Sequence, residues 1–315
     1  MTRKRTIAVV SFFLAILMCL SAFVLVKYYE RISETGLRNA IPYGFGKKAR
    51  VILLAGQSNA AGCSRDEYLQ KNVSEEQYAR YKNGFDNVYI NYFASGTNAS
   101  NGFVKSSVRQ GEGLEKGFFG PELGLAERLS ELYPDETIFI IKWAWGGTDL
   151  HEQWRAPGED GSAGGHLYHG FLEYVMTSLE FLQIKNYDIE IEAMCWMQGE
   201  SDSIEEQDAL DYEENLQRFV TKIREDLSEY ASDDGIAFVD AYIAATIFWK
   251  YYEEINRAKQ AVADSSPMNA VVDTIAHGLT VTEEPIETPD IAHFDSLSEI
   301  KLGHLFADEV ARFFD

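Results

Sequence analysis

The chain has 315 residues, 46% of them hydrophobic, which is enough to bury the core of one large domain and permits two without requiring them. Its formal net charge is −22, and the first 27 residues hold only bases (Arg3, Lys4, Arg5 and Lys27), so the remainder is more acidic still. Such a surface repels phosphate backbones and argues against nucleic acid as a partner, while the absence of repeats or low-complexity tracts argues against a solenoid or a disordered chain.

Arg3-Lys4-Arg5 precede an uncharged run, Ile7 to Val26. At about 1.5 Å per residue it spans a bilayer core of roughly 30 Å. The basic flank is expected to stay in the cytoplasm and to place the rest of the chain outside. The run exceeds the roughly 7–15 apolar residues of a signal peptide and no clear A-x-A site follows, which favours an uncleaved anchor over cleavage and secretion. Residues 1–27 thus read as anchor or signal, 28–48 as a short stalk, and 49–315 as the globular domain.

The stretch Val51 to Gly62 (VILLAGQSNAAG) reads as a buried strand that stops in a tight turn at Gly56-Gln57-Ser58-Asn59. In a parallel α/β sheet, ligands collect beyond the carboxyl ends of the strands, so Ser58 is a candidate nucleophile, with Asn59 beside it as a candidate substrate contact. Plain turn chemistry explains a Gly-x-Ser equally well at this point, and the G-x-S-x-G elbow is absent because Ala60 stands second after Ser58. After a polar stretch, Phe85 to Phe93 alternates as a strand, Ala94 to Gly120 reads as a long loop, and Pro121 opens a helix. Thr137 to Trp143 is a third strand, ending at Ala144-Trp145-Gly146-Gly147, where a backbone N–H can approach a ligand closely. Loop 149–165 carries Trp154.

A helix from about His166 to Lys185 follows, then a strand from Ile189 to Trp196 that ends in Met197-Gln198-Gly199-Glu200-Ser201-Asp202. Glu205 to Tyr230 reads as a helix, Ile236 to Val239 as a short strand, Tyr252 to Asp264 as a helix, and Val271-Val272-Asp273 as a further short strand. A terminal helix over about 297–314 is announced by Ser296-x-x-Glu299, read as a capping box. Alternating strands and helices imply a mostly parallel sheet with helices on both faces.

A serine hydroxyl needs a base, and the base needs a carboxylate to orient it. His293, in the loop before the last helix, can reach Ser58, and Asp290 stands three residues earlier. The N–H of Ser58, a backbone N–H at Gly146 or Gly147, and the Gln198 amide are candidates to meet an oxyanion. Trp145 and Trp154 are candidates to stack on a sugar ring, with core packing the alternative for each. No Cys-x-x-Cys or His-Glu-x-x-His occurs, so neither a metal nor a cofactor is expected; Cys63 and Cys195 read as two buried free thiols, with a bridge between them the alternative. His277 is a rival to His293, but no capped helix follows it.

Five ordered blocks, GQSNA at 56–60, FGPE at 119–122, KWAWGGTDL at 142–150, WMQGESD at 196–202 and DIAHF at 290–294, resemble those of the SGNH hydrolase superfamily, most closely its sialate O-acetylesterase and acetylxylan esterase branch, carbohydrate esterase family six. The resemblance covers roughly residues 50 to 313. It implies a flavodoxin-like three-layer α/β/α sandwich, here with a five-stranded sheet, and metal-free removal of O-acetyl groups from sugars through an acetyl-enzyme. It matches Ser58 to the nucleophile, Gly146-Gly147 and Gln198 to the oxyanion donors, and Asp290 and His293 to the D-x-x-H pair, with Glu200 a second candidate to orient the histidine. The alternatives are a non-catalytic glycan-binding protein on the same fold and a lipid esterase or thioesterase.

Overall fold

The computed structural model describes residues 41–113, 117–158 and 161–314. The uncharged run 7–26, expected as a membrane anchor, lies outside the described residues; among those described, no helix is long and apolar enough to cross a membrane. Residues 41–47, the end of the expected stalk, pack on the domain, with Ile41 buried and Gly44 and Gly46 donating to the carbonyls of Lys185 and Asn186 at 2.7 Å.

Strand β1 is Lys48–Gly56, and one residue later a single-turn helix α1, Ser58–Ala61, begins. The two-residue strand β2, Ser64–Arg65, leads into α2, Asp66–Asn72, and α3, Glu75–Asn83. Next come β3, Val88–Ala94, and three two-residue strands: β4, Asn98–Ala99; β5, Val104–Lys105; and β6, Phe118–Phe119. Helix α4, Pro121–Leu132, takes its proline at the first turn, where a missing N–H costs nothing. It is followed by β7, Ile138–Ala144; α5, His166–Ile184; β8, Asp188–Met197; and α6, Glu206–Asp226. The chain closes with β9, Ala237–Ala241; α7, Tyr252–Asp264; β10, Asn269–Val272; and α8, Ser296–Val310.

The main sheet runs β10-β9-β8-β1-β7-β3, all parallel, with the short β4 and β5 antiparallel to β3. Six parallel strands thus replace the five expected. Without β3, the remaining five follow the flavodoxin-like order 2-1-3-4-5, and β3 extends that sheet past β7. Strand β7 is buried along its whole length and β1 from Ala49 onward, as parallel strands are when helices cover both faces. Helices α4 and α8 pack on each other, as do α6 and α7, while α5 lies against β7 and β8.

One local expectation is corrected, and one unassigned stretch proves helical. The polar stretch after α1 holds α2 and α3, the latter capped by Ser74, whose side chain accepts the Gln77 N–H at 3.1 Å. Ser296 and Glu299 form no capping box: Asp295 is the cap position, the Ser296 N–H and hydroxyl donate to Glu284 at 2.8 and 2.7 Å, and Glu299 is buried with neither carboxyl oxygen hydrogen-bonded. A carboxylate from the loop that leads into the helix, twelve residues before Ser296, caps α8 instead.

Register levels the strand ends. Gly56 lies beside Ala144 of β7 and Met197 of β8, and Ala144 beside Ala94 of β3. The residues that follow, Ser58, Ser95, Gly146 and Gln198, therefore leave the sheet along one rim. Gly56 cannot be replaced there: its φ is +140°, and a Cβ would stand 1.9 Å from the Met197 carbonyl oxygen.

Candidate active site

Ser58 is the first residue of α1, and its helix is held from beneath. Lys142 of β7, fully buried, donates from Nζ to the Ala61 carbonyl at 2.9 Å and to the Gln110 carbonyl at 3.1 Å, and pairs with Glu122 at 2.7 Å. Glu122 in turn accepts the Gly120 N–H at 2.9 Å. The FGPE block thus serves as a brace: its glutamate neutralises the lysine that fixes the far end of the serine turn.

The side chain of Asn59, 1% exposed, joins three segments. Its Oδ1 accepts the Phe294 N–H at 3.0 Å, and its Nδ2 donates to Glu200 Oε1 at 2.6 Å and to the Ala292 carbonyl at 3.4 Å. The residues on both sides of His293 are therefore tied to the residue after Ser58. Ser64 adds a hydroxyl bond to the Phe294 carbonyl at 2.6 Å. Asn59 is fully engaged in this clamp, so the expectation that it contacts substrate is corrected.

Asp290 Oδ2 lies 2.7 Å from His293 Nδ1, and the imidazole holds that carboxyl below the usual carboxylate range. With Nδ1 so occupied, Nε2 is the nitrogen left for proton transfer. Glu200, fully buried, bonds Asn59 rather than His293; burial pushes its carboxyl up, against the Asn59 amide and the charges of Lys259 and His293. Among the described residues, the Ser58 hydroxyl makes no hydrogen bond, and the serine–histidine bond of such sites is often formed only with substrate. His277 is exposed, on the turn after β10.

The candidate oxyanion donors are arranged differently from expectation. Gln198 is fully buried, its amide donating to Asp202 at 2.6 Å and the Thr148 carbonyl at 3.0 Å while its oxygen accepts from Tyr212 at 2.9 Å. No amide hydrogen remains for a ligand, so Gln198 is a buried brace under the rim. The Gly146 N–H is also taken, by Ser95 Oγ at 2.8 Å. Gly147, with φ +68° and open space around its Cα, and Ser58 at the start of α1 have backbone N–H groups without partners among the described residues.

Trp154 is corrected to core: it is fully buried, edge-on to Trp143 and Trp196, with Nε1 donating to Thr148 at 2.9 Å. Trp145 stays at the rim, 37% exposed beside Phe93. A cleft of about 450 Å³ opens next to His293, lined among others by Cys63, Arg65, Thr97, Glu112 and Asp290. Cys63 and Cys195 are free thiols; Cys195 is buried as expected, whereas Cys63 is half-buried at the cleft wall, and desolvation pushes both up, with the Glu112 charge adding to the rise at Cys63. Ser95 and Glu112 were not anticipated; both sit in the Gly- and Ser-rich segment between β3 and α4, where no periodicity marks a residue. Among the described residues no group of histidine, cysteine and carboxylate side chains could hold a metal ion.

A parallel α/β sheet whose carboxyl rim gathers a serine turn and a carboxylate–imidazole pair defines a hydrolase-like site. Residues 48–312 match the family model described as carbohydrate esterase, sialic acid-specific acetylesterase. The chain belongs to that family and is an esterase of the carbohydrate class. Its fold is also that of a solved protein from Arabidopsis thaliana (19% identity, TM-score 0.60, covering 84% of this chain and 99% of that one) and of NanS (19%, 0.61, 85% and 98%). A carbohydrate acetylesterase from Xanthomonas citri is similar at 15% identity and TM-score 0.51, over 83% of this chain and 55% of that one. No curated protein sequence matches the chain.

Proposed function

We propose that the protein removes O-acetyl groups from sugars by serine catalysis. Ser58 Oγ attacks the acetyl carbonyl while His293 Nε2 takes its proton, and Asp290 holds the imidazole and stabilises its charged form. The oxyanion is met by the N–H groups of Ser58 and Gly147. Collapse of the tetrahedral intermediate breaks the bond to the sugar oxygen, which leaves as a hydroxyl with the proton from His293. Water then attacks the acetyl-serine with the same histidine as base, releasing acetate and restoring Ser58.

The observation that carries this reading is the 2.7 Å pair of Asp290 and His293, anchored to the residue after Ser58 by the Asn59 clamp. The test is hydrolysis of an aryl acetate, with rapid-quench mass analysis of the peptide containing Ser58. Ser58→Ala and His293→Ala are each expected to remove nearly all turnover, and the wild-type peptide to gain one acetyl group. A serine variant with wild-type turnover sinks the mechanism. On the sequence evidence of Arg3-Lys4-Arg5 and the uncharged run 7–26, we place the enzyme outside the cytoplasmic membrane and anchored to it. Protease accessibility of the domain in intact cells checks this.

A further inference from the structure

Glu112 stands closer to the reacting centre than any role so far given to it requires. Its backbone N–H donates to the Gly62 carbonyl at 2.8 Å, so it rides on the end of the serine turn. One carboxyl oxygen, Oε2, is held by protein donors: the Ser95 hydroxyl at 2.8 Å and the Cys63 thiol at 3.7 Å. A Cβ built on Gly146 would lie 2.9 Å from that oxygen and 3.4 Å from Ser58 Cβ, so the carboxylate and the nucleophile flank the same glycine. The other oxygen, Oε1, has no partner among the described residues, and Glu112 lines the cleft that also holds His293.

A bare carboxylate beside a forming oxyanion raises the barrier, because like charges repel most where water is displaced. Two protein donors on Oε2 blunt that charge; a donor on Oε1 completes the job. Among the described residues none supplies one there, whereas a sugar hydroxyl on the carbon next to the acetyl ester can. Resting on the serine-esterase reading above, we infer that Glu112 Oε1 accepts a hydrogen bond from the free hydroxyl vicinal to the acetyl group, orienting a partly acetylated sugar for attack by Ser58. The preferred substrate is then a monoacetylated vicinal diol, and a fully acetylated sugar is a poor one.

The test compares kcat/KM of wild type and Glu112→Gln on three acetates: 4-nitrophenyl acetate, methyl 2-O-acetyl-xylopyranoside with its neighbouring hydroxyl free, and the same glycoside fully acetylated. Glutamine keeps the shape and an acceptor for Ser95 but loses the charge, and charge-assisted hydrogen bonds are about twice as strong as neutral ones. The expected result is a fall of about tenfold on the monoacetate, with the other two unchanged or faster, because glutamine removes the uncompensated charge that they face. An equal fall on all three assigns Glu112 to holding Ser95 and Gly146, and no fall on any removes it from the site; either overturns the inference while leaving the esterase reading standing. Wild type inactive on all three overturns both.

Discussion

Asp290 and Glu200 are both carboxylates whose charge is felt at His293, and they differ in what their oxygens already do. Asp290 bonds the imidazole directly at 2.7 Å, whereas Glu200 spends Oε1 on Asn59 and leaves Oε2 buried without a partner. Asp290→Asn is expected to lower kcat on an aryl acetate about 100-fold, less than the roughly 10⁴-fold of a fully buried triad aspartate, because water reaches this pair. Glu200→Gln retains an acceptor for Asn59 and should keep kcat within about tenfold. Steady-state rates that reverse this order would move the orienting role to Glu200. Ser58, Asp290 and His293 were legible as candidates because their signals are local: a break after an apolar run, and a three-residue spacing before a helix. Gln198, Trp154 and Asn59 misled because a place in the turns and loops beyond the strand ends does not tell whether a side chain turns outward. Each turned inward, to Asp202, to Thr148 and to Glu200 respectively, since a polar group buried there needs a partner.

The serine turn and the histidine loop, separated by more than 200 residues of sequence, are joined by the two ends of one amide. Removing it in Asn59→Ala strands two buried groups, the Phe294 N–H and Glu200 Oε1. The expected cost is about 2–4 kcal/mol, since each unsatisfied buried partner loses its compensation and one is a carboxyl. Urea unfolding measures this, and kcat should fall in the same variant as the His293 loop loosens. Unchanged stability would mean that water satisfies both groups and the clamp is dispensable. No sequence pattern announced this link, because both ends lie in turns. Helices α2 and α3 escaped for a different reason: their residues are mostly polar, and α3 buries only Tyr78 and Tyr81, too few for an apolar stripe to stand out. The long strands and the helices α4 to α8 were legible because each buries enough apolar surface to set a period of two or 3.6.

At the scale of the whole molecule, alternation of strands and helices predicted a parallel sheet but not its order: nothing in residues 88–94 tells that β3 adds outside β7 rather than beside β1. The sheet it completes buries several ionisable groups under the carboxyl rim, and these tie stability to pH. Asp202, fully buried, accepts from the N–H groups of Leu150 and His151 and from Gln198; burial nevertheless pushes it up to about 6 from an ordinary 3.8. Burial likewise pushes Asp240 up to about 6 despite Lys259 beside it. A carboxyl raised in the folded state stays protonated there while the unfolded chain has already released its proton. Its contribution is therefore fully present below about pH 4, declines as pH rises through 6, and is constant above that. For Asp202 the decline is about 3 kcal/mol at 1.36 kcal/mol per unit. Asp290 and Glu127, both held below their ordinary values, run the opposite way, so the sum over the molecule hides the effect and a difference between two proteins reveals it. Asp202→Asn loses the titration and keeps one acceptor; its amide also forces Gln198 to reorient, which shifts stability by the same amount at every pH. The stability of wild type relative to Asp202→Asn, from urea midpoints between pH 4 and 7.5, should therefore fall as pH rises and level off near 6.5. Parallel curves would place the folded-state titration of Asp202 at its ordinary value, and with it the view of the buried rim as a set of carboxyls held against their ionisation.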